Sequence, residues 1–196
     1  MGGTLSEASK AYQFKDPHIA FITRQISNGV KYLHQKNWAH RDLKSSNVML
    51  QVDGSIKIID FGLASDMGNG GKTKMLGSAF WIPPEMIIKE QHSLPADIWS
   101  LSVCVLEMFY QSPPYAVSPL KCMFEVATVG LQHYIPKGCS EEAKDWLTRS
   151  LCYDQTKRSN IIELLKHPWL NQPVPVKELS AILKSVFMSN TIESLM

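Results

Sequence analysis

The sequence predicts a mainly α-helical fold with one short β-hairpin. From Asp16 onward, apolar residues recur at spacings of three and four, which indicates an amphipathic helix that buries one face. Residues 95–110 are apolar on almost every side, a pattern typical of a helix buried at the centre of a helical protein. The dipeptide Asp53-Gly54 lies between two short β-prone runs, and this arrangement predicts a hairpin turn.

Capping residues predict where the helices begin. Thr4 followed by Glu7 has the form of a capping box, so a short helix is predicted close to the first residue. Asp16 before Pro17 is predicted as the N-cap of the long helix, which we expect to end near Asn37. The other predicted elements are helices over 119–129, 141–151 (cap Ser140), 161–166 (cap Ser159 or Asn160) and 176–187, hairpin strands over 48–52 and 55–59, and a mobile loop over 64–77.

Length and composition limit the class of protein. The 196 residues predict one domain, or one domain and a fragment, and the net charge of +2 is too small to imply a nucleic acid or a membrane as partner. The longest apolar run is far shorter than the roughly 18 residues that cross a bilayer, and the first residues do not resemble a signal peptide. We therefore expect a cytoplasmic, or nuclear, protein. No cysteine pair has zinc or redox spacing, which predicts reduced thiols at Cys104, Cys122, Cys139 and Cys152.

Two short segments carry the chemistry. The first is H-R-D-L-K-S-S-N at residues 40–47, and the second is D-F-G at residues 60–62. An isolated Asp in such a segment is usually a turn or capping residue. Here, however, the order is helix, first segment, hairpin, D-F-G, glycine-rich stretch and W-I-P-P-E. This order is that of the protein-kinase signature set.

On these motifs the chain resembles the large, C-terminal lobe of eukaryotic protein kinases of the serine/threonine type. The resemblance implies a mainly α lobe, part of the α+β protein kinase-like fold, with the hairpin at the catalytic cleft. It further implies transfer of the ATP γ-phosphate to Ser or Thr of protein substrates, with ATP and Mg²⁺ as cofactors. The predicted lobe covers residues 1–170, with the catalytic loop at 40–47 and the activation segment at 60–85. Residues 171–196 are predicted as a C-terminal amphipathic tail.

The resemblance also assigns roles within the predicted cleft. Asp42 is expected to accept and orient the hydroxyl proton of the substrate. Lys44 is expected to face the γ-phosphate, because a Lys at this position is typical of serine/threonine kinases. Asn47 and Asp60 match the two metal-binding positions, whose oxygens suit Mg²⁺. Met49 matches the apolar floor under the adenine.

Regulatory positions are implied by the same comparison. Arg41 matches the arginine that receives an activation-loop phosphate. The usual phosphorylated threonine position holds Lys74, and Thr73 lies one residue earlier. Ser78 matches the residue that contacts Asp42 and the catalytic lysine.

The remaining matches are structural. Glu85 is expected to form a buried ion pair with Arg158, although P-P-E stands where A-P-E is usual. Asp97 resembles the carboxylate that braces the catalytic loop. The full structural set implied by the resemblance is His40, Phe61, Gly62, Glu85, Asp97 and Arg158, with His40 beneath Phe61.

Three further segments resemble the sterile-twenty group and its PAK-type branch. They are M-G-G-T-L-S at the start of the chain, G-S-A-F-W at residues 77–81 and S-P-L-K-C-M-F-E-V-A-T at residues 118–128. Membership of this branch implies protein substrates. It also implies regulation by an upstream kinase or a small GTPase, through regions outside the 196 residues.

The part of the sequence before the catalytic loop contains no glycine-rich phosphate loop and no strand lysine with its glutamate partner. The first three residues, M-G-G, resemble the end of the hinge between the lobes, so we expect the small lobe to lie upstream of this chain. Two interpretations remain open. The chain is the catalytic half of a serine/threonine kinase, inactive by itself, or it is a non-catalytic interaction module derived from one.

Overall fold

The computed structural model describes residues 2–172 and 176–193, with side chains as far as Met188. In this part of the chain, five short strands form two small sheets, and α-helices make up most of the remaining regular structure. The strands are β1 (Gly2–Thr4), β2 (Trp38–Ala39), β3 (Val48–Gln51), β4 (Ile56–Ile58) and β5 (Ser65–Asp66). The helices are α1 (Leu5–Ala11), α2 (Asp16–His34), α3 (Pro84–Ile87), α4 (Pro95–Tyr110), α5 (Pro119–Thr128), α6 (Glu141–Ser150), α7 (Ile161–Leu165) and α8 (Val176–Glu193).

Helix α4 is the centre of the core, as the sequence predicts. It covers the predicted residues 95–110, and nearly all of its side chains are buried. It packs against α2, whose apolar stripe includes the fully buried Ile19 and Ile22. Helix α4 ends where Gln111 adopts a left-handed conformation with φ of +60°. The predicted mainly α-helical fold is confirmed.

The predicted hairpin is formed by β3 and β4, which pair antiparallel with Met49 opposite Lys57. At its turn, Asp53 Oδ1 accepts a hydrogen bond from Ser55 N at 2.8 Å. Gly54 has φ of +86°, a conformation that favours glycine. The sequence did not predict β1, which pairs with β3, because two of its three residues are glycines with low β-propensity.

The start of α2 differs from the sequence prediction. Asp16 is the first helical residue, and Lys15 is the N-cap. The Asp16 carboxylate instead accepts hydrogen bonds from Ser140 N at 2.9 Å and Trp169 Nε1 at 2.6 Å. The Asp16 side chain therefore makes tertiary contacts and does not cap α2 as predicted. The helix also ends at His34, earlier than predicted.

The glycine-rich stretch 64–77 contains regular pairing that its composition did not predict. Strand β5 pairs antiparallel with β2, and Lys72 forms an isolated β-bridge with His92. Met67 N also donates a hydrogen bond to Asn37 O at 2.7 Å. The prediction of a mobile loop over 64–77 did not include this pairing, because the bonds are made with distant segments and the local sequence does not encode them.

The later helices lie where the sequence predicts them. Ser140 caps α6, and Asn160, one of the two candidates, caps α7. Helix α8 extends beyond the predicted residues 176–187 and places Leu183 and Phe187 against the core. A side chain at Gly3 would collide with Phe187, so β1 and α8 meet closely.

Parts of the sequence interpretation lie outside the described residues. They are Met1 of the hinge-like start and residues 173–175 and 194–196 of the predicted tail. All four cysteines are free thiols, of which Cys104 and Cys122 are buried. Among the described residues, no helix has the length and apolar character needed to span a membrane.

Glu107 of α4 is a buried carboxylate next to the predicted catalytic loop. Its side chain is 1% exposed, and its Oε1 atom accepts a hydrogen bond from Ser45 Oγ at 2.7 Å. Its Oε2 atom is buried and has no hydrogen-bond partner among the described residues. Burial therefore raises the pKa of Glu107, although the bond from Ser45 opposes this shift.

Replacing Glu107 with Gln should flatten the pH dependence of stability. The raised pKa means that the folded state binds a proton more tightly than the unfolded state does. The stability from this group is thus present below its unfolded pKa, about 4.3, and is lost as pH rises through the folded pKa. Urea unfolding at intervals from pH 4.5 to 8 should show that the free energy of unfolding falls less with rising pH for Glu107→Gln than for the original chain. The exposed Glu142→Gln is the control, and parallel curves for Glu107→Gln and the original chain would contradict the prediction.

Candidate active site

The predicted catalytic loop follows β2. Asp97, in the first turn of α4, anchors this loop through hydrogen bonds to its backbone. The Asp97 carboxylate accepts hydrogen bonds from His40 N at 2.8 Å, Arg41 N at 2.9 Å and His34 Nε2 at 3.0 Å. Arg41 has φ of +64°, a strained conformation for a non-glycine residue. The hydrogen bonds to the buried carboxylate thus fix a backbone turn that the loop would not adopt alone.

The charge of Asp97 is stabilised despite complete burial. Burial raises its pKa, but the hydrogen bonds from His34 and from the backbone of Arg41 and His40 outweigh burial, so the pKa lies below its ordinary value. Asp97 is therefore an ionised, fixed acceptor at neutral pH. The sequence interpretation identified Asp97 but not His34, which lies at the last residue of α2 and carries no motif of its own.

His40 links the catalytic loop to the D-F-G segment. Its Nδ1 atom accepts a hydrogen bond from Asp42 N at 3.3 Å. Its other ring nitrogen, Nε2, is therefore the protonated one and donates to Ile59 O at 3.1 Å. The ring lies edge-on to Phe61, with 5.2 Å between ring centroids. His40 is thus engaged in backbone hydrogen bonds and in packing against the Phe61 ring.

Asp42 lies at the centre of a small polar cluster. Its Oδ1 atom accepts from Ser78 Oγ at 3.0 Å, and its Oδ2 atom accepts from Asn47 Nδ2 at 3.2 Å. Lys44 Nζ is 3.0 Å from Asp42 Oδ2 and donates to Ser78 Oγ at 2.8 Å. Asn47 Nδ2 also donates to Asp42 O at 2.9 Å. The four side chains therefore hold one another in a single arrangement around the carboxylate.

Asp60 follows β4 and is joined to the catalytic loop through its neighbour. Ile59 N donates to Asn47 O at 2.9 Å, which places the two predicted metal-binding segments side by side. Asp60 is exposed, has φ of +62°, and its Oδ1 atom accepts from Gly62 N at 3.2 Å. The left-handed backbone at this position is a second strained residue near the cluster. Met49, on β3, is half-buried and paired with Lys57.

The donor set at Asn47 and Asp60 suits a metal that keeps other ligands. Within the described residues, no group of three or more His, Cys, Asp or Glu side chains is arranged to hold a metal ion. One amide and one carboxylate are too few to enclose a cation. Mg²⁺, however, is usually bound by one or two carboxylates together with water and substrate phosphates. The residues present therefore fit Mg²⁺ that binds together with a nucleotide.

The activation segment returns to the catalytic loop at Gly77. This glycine has φ of +99°, and a Cβ atom there would lie 2.7 Å from Arg41 O. Only glycine allows this close approach, which brings the next residue, Ser78, to Asp42. Farther back, Thr73 is exposed, and Arg41 Nε donates to Leu63 O at 2.8 Å.

The predicted buried ion pair is present behind the activation segment. Arg158 Nη1 and Nη2 donate to the two oxygens of Glu85 at 2.8 and 3.0 Å, and both side chains are at least 95% buried. The guanidinium also donates to backbone carbonyls, including Pro95 O at 2.9 Å. It stacks on the Trp99 ring at 5.1 Å from the centroid. The pair connects α3 to α4 and to the segment before α7.

Comparison with known proteins gives one consistent result. A family model described as the protein kinase domain matches residues 1–170. The chain is 43% identical, over 99% of its length, to the Dictyostelium discoideum protein named "Probable serine/threonine-protein kinase mkcD". It is 34% identical over 98% of its length to the serine/threonine-protein kinase ste20 of Emericella nidulans, and 33% identical over 96% to shk1/pak1 of Schizosaccharomyces pombe. It spans 30%, 23% and 29% of these three proteins, respectively.

Proposed function

Because the chain belongs to the protein kinase family, we propose that it forms the catalytic lobe of a serine/threonine-protein kinase. The reaction is transfer of the γ-phosphate of ATP to a Ser or Thr hydroxyl of a protein substrate. The observation that carries the proposal is the contact set of Asp42, Lys44, Asn47 and Ser78, which surrounds one carboxylate with a cation, an amide and a hydroxyl. Phosphoryl transfer depends mainly on positioning and on opposite charge, and this cluster supplies both.

Asp42 is proposed to receive the hydroxyl of the substrate. Its carboxylate is fixed by Ser78 and Asn47, so its lone pairs have a defined direction. A hydroxyl that hydrogen-bonds to it would be oriented for attack, and the carboxylate would accept the proton as the reaction proceeds. Lys44 lies between Asp42 and Ser78, where its ammonium group would counter negative charge on the transferred phosphoryl group.

Asn47 and Asp60 are proposed to hold Mg²⁺ on ATP. Asn47 uses its amide nitrogen for Asp42, so its side-chain oxygen is the atom that would bind the metal. Asp60 is exposed and would add a carboxylate oxygen. When bound, Mg²⁺ neutralises charge on the phosphates and ATP supplies the γ-phosphoryl group. Met49, on the neighbouring strand, is proposed as the apolar surface beneath the adenine.

Regulation is proposed to act through the activation segment. Arg41 is next to Asp42 in sequence and is positioned by Asp97, so an anion bound by Arg41 would act close to the catalytic loop. Thr73 is the proposed phosphorylation site, although Lys74 holds the usual position. An upstream kinase is the proposed source of the phosphate. Control by a small GTPase, through regions outside the 196 residues, is proposed by analogy with the PAK-type branch.

A peptide assay tests the acceptor class. The protein should be a polypeptide in which a small lobe with the family lysine precedes residues 1–196, supplied with Mg-ATP and three peptides that differ only in a Ser, Thr or Tyr acceptor. Transfer to Ser and Thr, with little transfer to Tyr, is the expected result because Lys44 is typical of serine/threonine kinases. Equal transfer to all three peptides would contradict the assigned specificity.

Nucleotide binding in the family also uses groups that residues 1–196 do not contain. The residues before the catalytic loop contain neither the glycine-rich loop nor the strand lysine that cover and bind the nucleotide phosphates. Residues 1–196 as a separate polypeptide should therefore bind Mg-ATP only weakly, since much of the ligand stays in water. Calorimetric titration should detect no micromolar binding. Micromolar affinity would show that this chain alone forms a nucleotide site.

A further inference from the structure

A cavity of about 220 Å³ lies where α2 ends and where α4 and α7 begin. Its apolar lining includes Leu94 and Ile98, around the start of α4, and Ile161 and Ile162 of α7. An apolar cavity of about 150 Å³ is large enough to bind benzene. This cavity can therefore hold one ring, or an aliphatic group of that size, with a short polar substituent. None of the side chains proposed to bind ATP, Mg²⁺ or the substrate hydroxyl lines it.

The polar lining of the cavity is basic. Lys31 and His34 of α2 and Arg158 line it, and no described Asp or Glu does. Every guanidinium N–H group of Arg158 already donates to Glu85 or to a backbone carbonyl. Lys31, by contrast, is partly buried and forms no ion pair with any described residue. The ammonium group of Lys31 is therefore the cation that remains for an anionic ligand.

His34 connects this cavity to the catalytic loop. Its side chain is 7% exposed, and its Nε2 atom donates to Asp97 Oδ2 at 3.0 Å. The same carboxylate accepts hydrogen bonds from the backbone N–H groups of His40 and Arg41. The other ring nitrogen of His34, Nδ1, forms no hydrogen bond with the described residues. An anion beside Nδ1 would favour the doubly protonated ring, which donates from Nδ1 to the anion and from Nε2 to Asp97.

We propose that this cavity is a binding site for a small carboxylic acid with one apolar ring or chain. The carboxylate pairs with the Lys31 ammonium group and with the Nδ1–H group of His34, and the apolar part packs against Ile98 and Ile161. A neutral molecule of the same shape would leave the Lys31 ammonium group without an anion, and a cationic one would place a like charge beside it. The site therefore discriminates in favour of acids.

Occupancy of the cavity is expected to stabilise the catalytic loop. A ligand that binds better while His34 is bonded to Asp97 shifts the population towards that arrangement. Arg41 N then keeps its hydrogen bond to Asp97, which fixes the left-handed backbone at Arg41 beside Asp42. This consequence for catalysis rests on the proposed function, whereas binding of the acid does not depend on it.

The test is an NMR titration of residues 1–196 with phenylacetate, which carries one ring and one carboxylate. A ligand of this size should bind with a dissociation constant of about 1 mM or lower. Phenylacetamide, which has nearly the same shape and no charge, should bind about tenfold more weakly, since it lacks the charge-assisted hydrogen bonds. Absence of saturable phenylacetate binding, or equal affinity for the acid and the amide, would overturn the proposal.

Matched lysine variants test the assigned charge. Lys31→Met keeps an apolar stem and removes the charge, so it should weaken phenylacetate binding about tenfold and leave phenylacetamide binding unchanged. Lys36→Met is the control, because Lys36 is exposed just after α2 and lies over the Tyr32 ring, outside the cavity lining. The control should bind both compounds as the original chain does. Equal phenylacetate affinity in the two variants would contradict the site.

Two measurements on the original chain need no variant. Nuclear Overhauser effects should join the ring protons of phenylacetate to methyl groups of Ile98 and Ile161, and effects confined to other side chains would refute the location. Hydrogen exchange of the Arg41 N–H group should slow at saturating phenylacetate, and an unchanged rate would refute the link to the catalytic loop. A chain that passes both tests but fails the peptide assay would refute the proposed kinase activity while supporting this site. A chain that is active on peptides but does not bind phenylacetate would do the opposite.

Discussion

Replacing Asp42 with Asn should lower phosphoryl transfer by a factor of about 10² to 10⁴, the usual contribution of a positioned acid–base group. Asn has nearly the same shape, and its oxygen can still accept a hydrogen bond from Ser78. It cannot accept a proton from the substrate, and its NH₂ group would face the donors Asn47 Nδ2 and Lys44 Nζ. The loss should therefore be in kcat, measured at saturating peptide with a small lobe in front of the chain.

The control for this variant is Asp53→Asn. Asp53 lies at the hairpin turn, and Asn-Gly forms the same tight turn as Asp-Gly. The control should keep activity within about twofold, because Asp53 is outside the polar cluster and the substitution preserves the turn. Activity of Asp42→Asn equal to that of the control would remove Asp42 from the proposed mechanism.

Replacing Arg158 with Met should lower the free energy of unfolding by about 3 to 5 kcal/mol, because it leaves the Glu85 carboxylate buried without its partner. The guanidinium also satisfies the carbonyls of Pro95, Cys152 and Tyr153, so several acceptors lose their donor together. Urea unfolding followed by circular dichroism measures the effect.

The matched control is Arg149→Met in α6. Arg149 also pairs with a carboxylate, Asp145 at 2.9 Å, but its side chain is 56% exposed. An exposed pair contributes little to stability, because water and salt screen both charges. The double variant Glu85→Gln with Arg158→Met should recover part of the loss, since the buried charge is removed. Similar losses for Arg158→Met and Arg149→Met would contradict the argument from burial.

Local signals in the sequence predicted most of the helical framework. Periodicity gave the full extent of α4, and Ser140 gave the start of α6, because both signals act within a few residues. Prediction failed where distant segments compete for the same groups. Asp16 was expected to cap α2, but its carboxylate is used by Ser140 and Trp169, which are more than 120 positions away. The pairing of β5 with β2 was missed for the same reason.

For the candidate site, motifs identified residues but not the groups that support them. The two signature segments identify Asp42 and Asp60, because the residue types within these segments and the spacing between them are restricted. Glu107, His34 and His92 have no such signature. Their surroundings are set by helix packing: Ser45 lies against Glu107, and Asp97 binds His34. The complete burial of His92, whose ring makes no hydrogen bond to the described residues, follows from long-range packing that no local pattern encodes.

The contact between Gly3 and Phe187 has a consequence for the order of folding. These residues lie near opposite ends of the described sequence, yet β1 and α8 pack together. Joining them early would require closing almost the whole chain into a loop, with a large entropic cost. The hairpin and the contact between α2 and α4 close much shorter loops. The chain should therefore form its helical centre first. The contact between β1 and α8 should form last during folding and break first during unfolding.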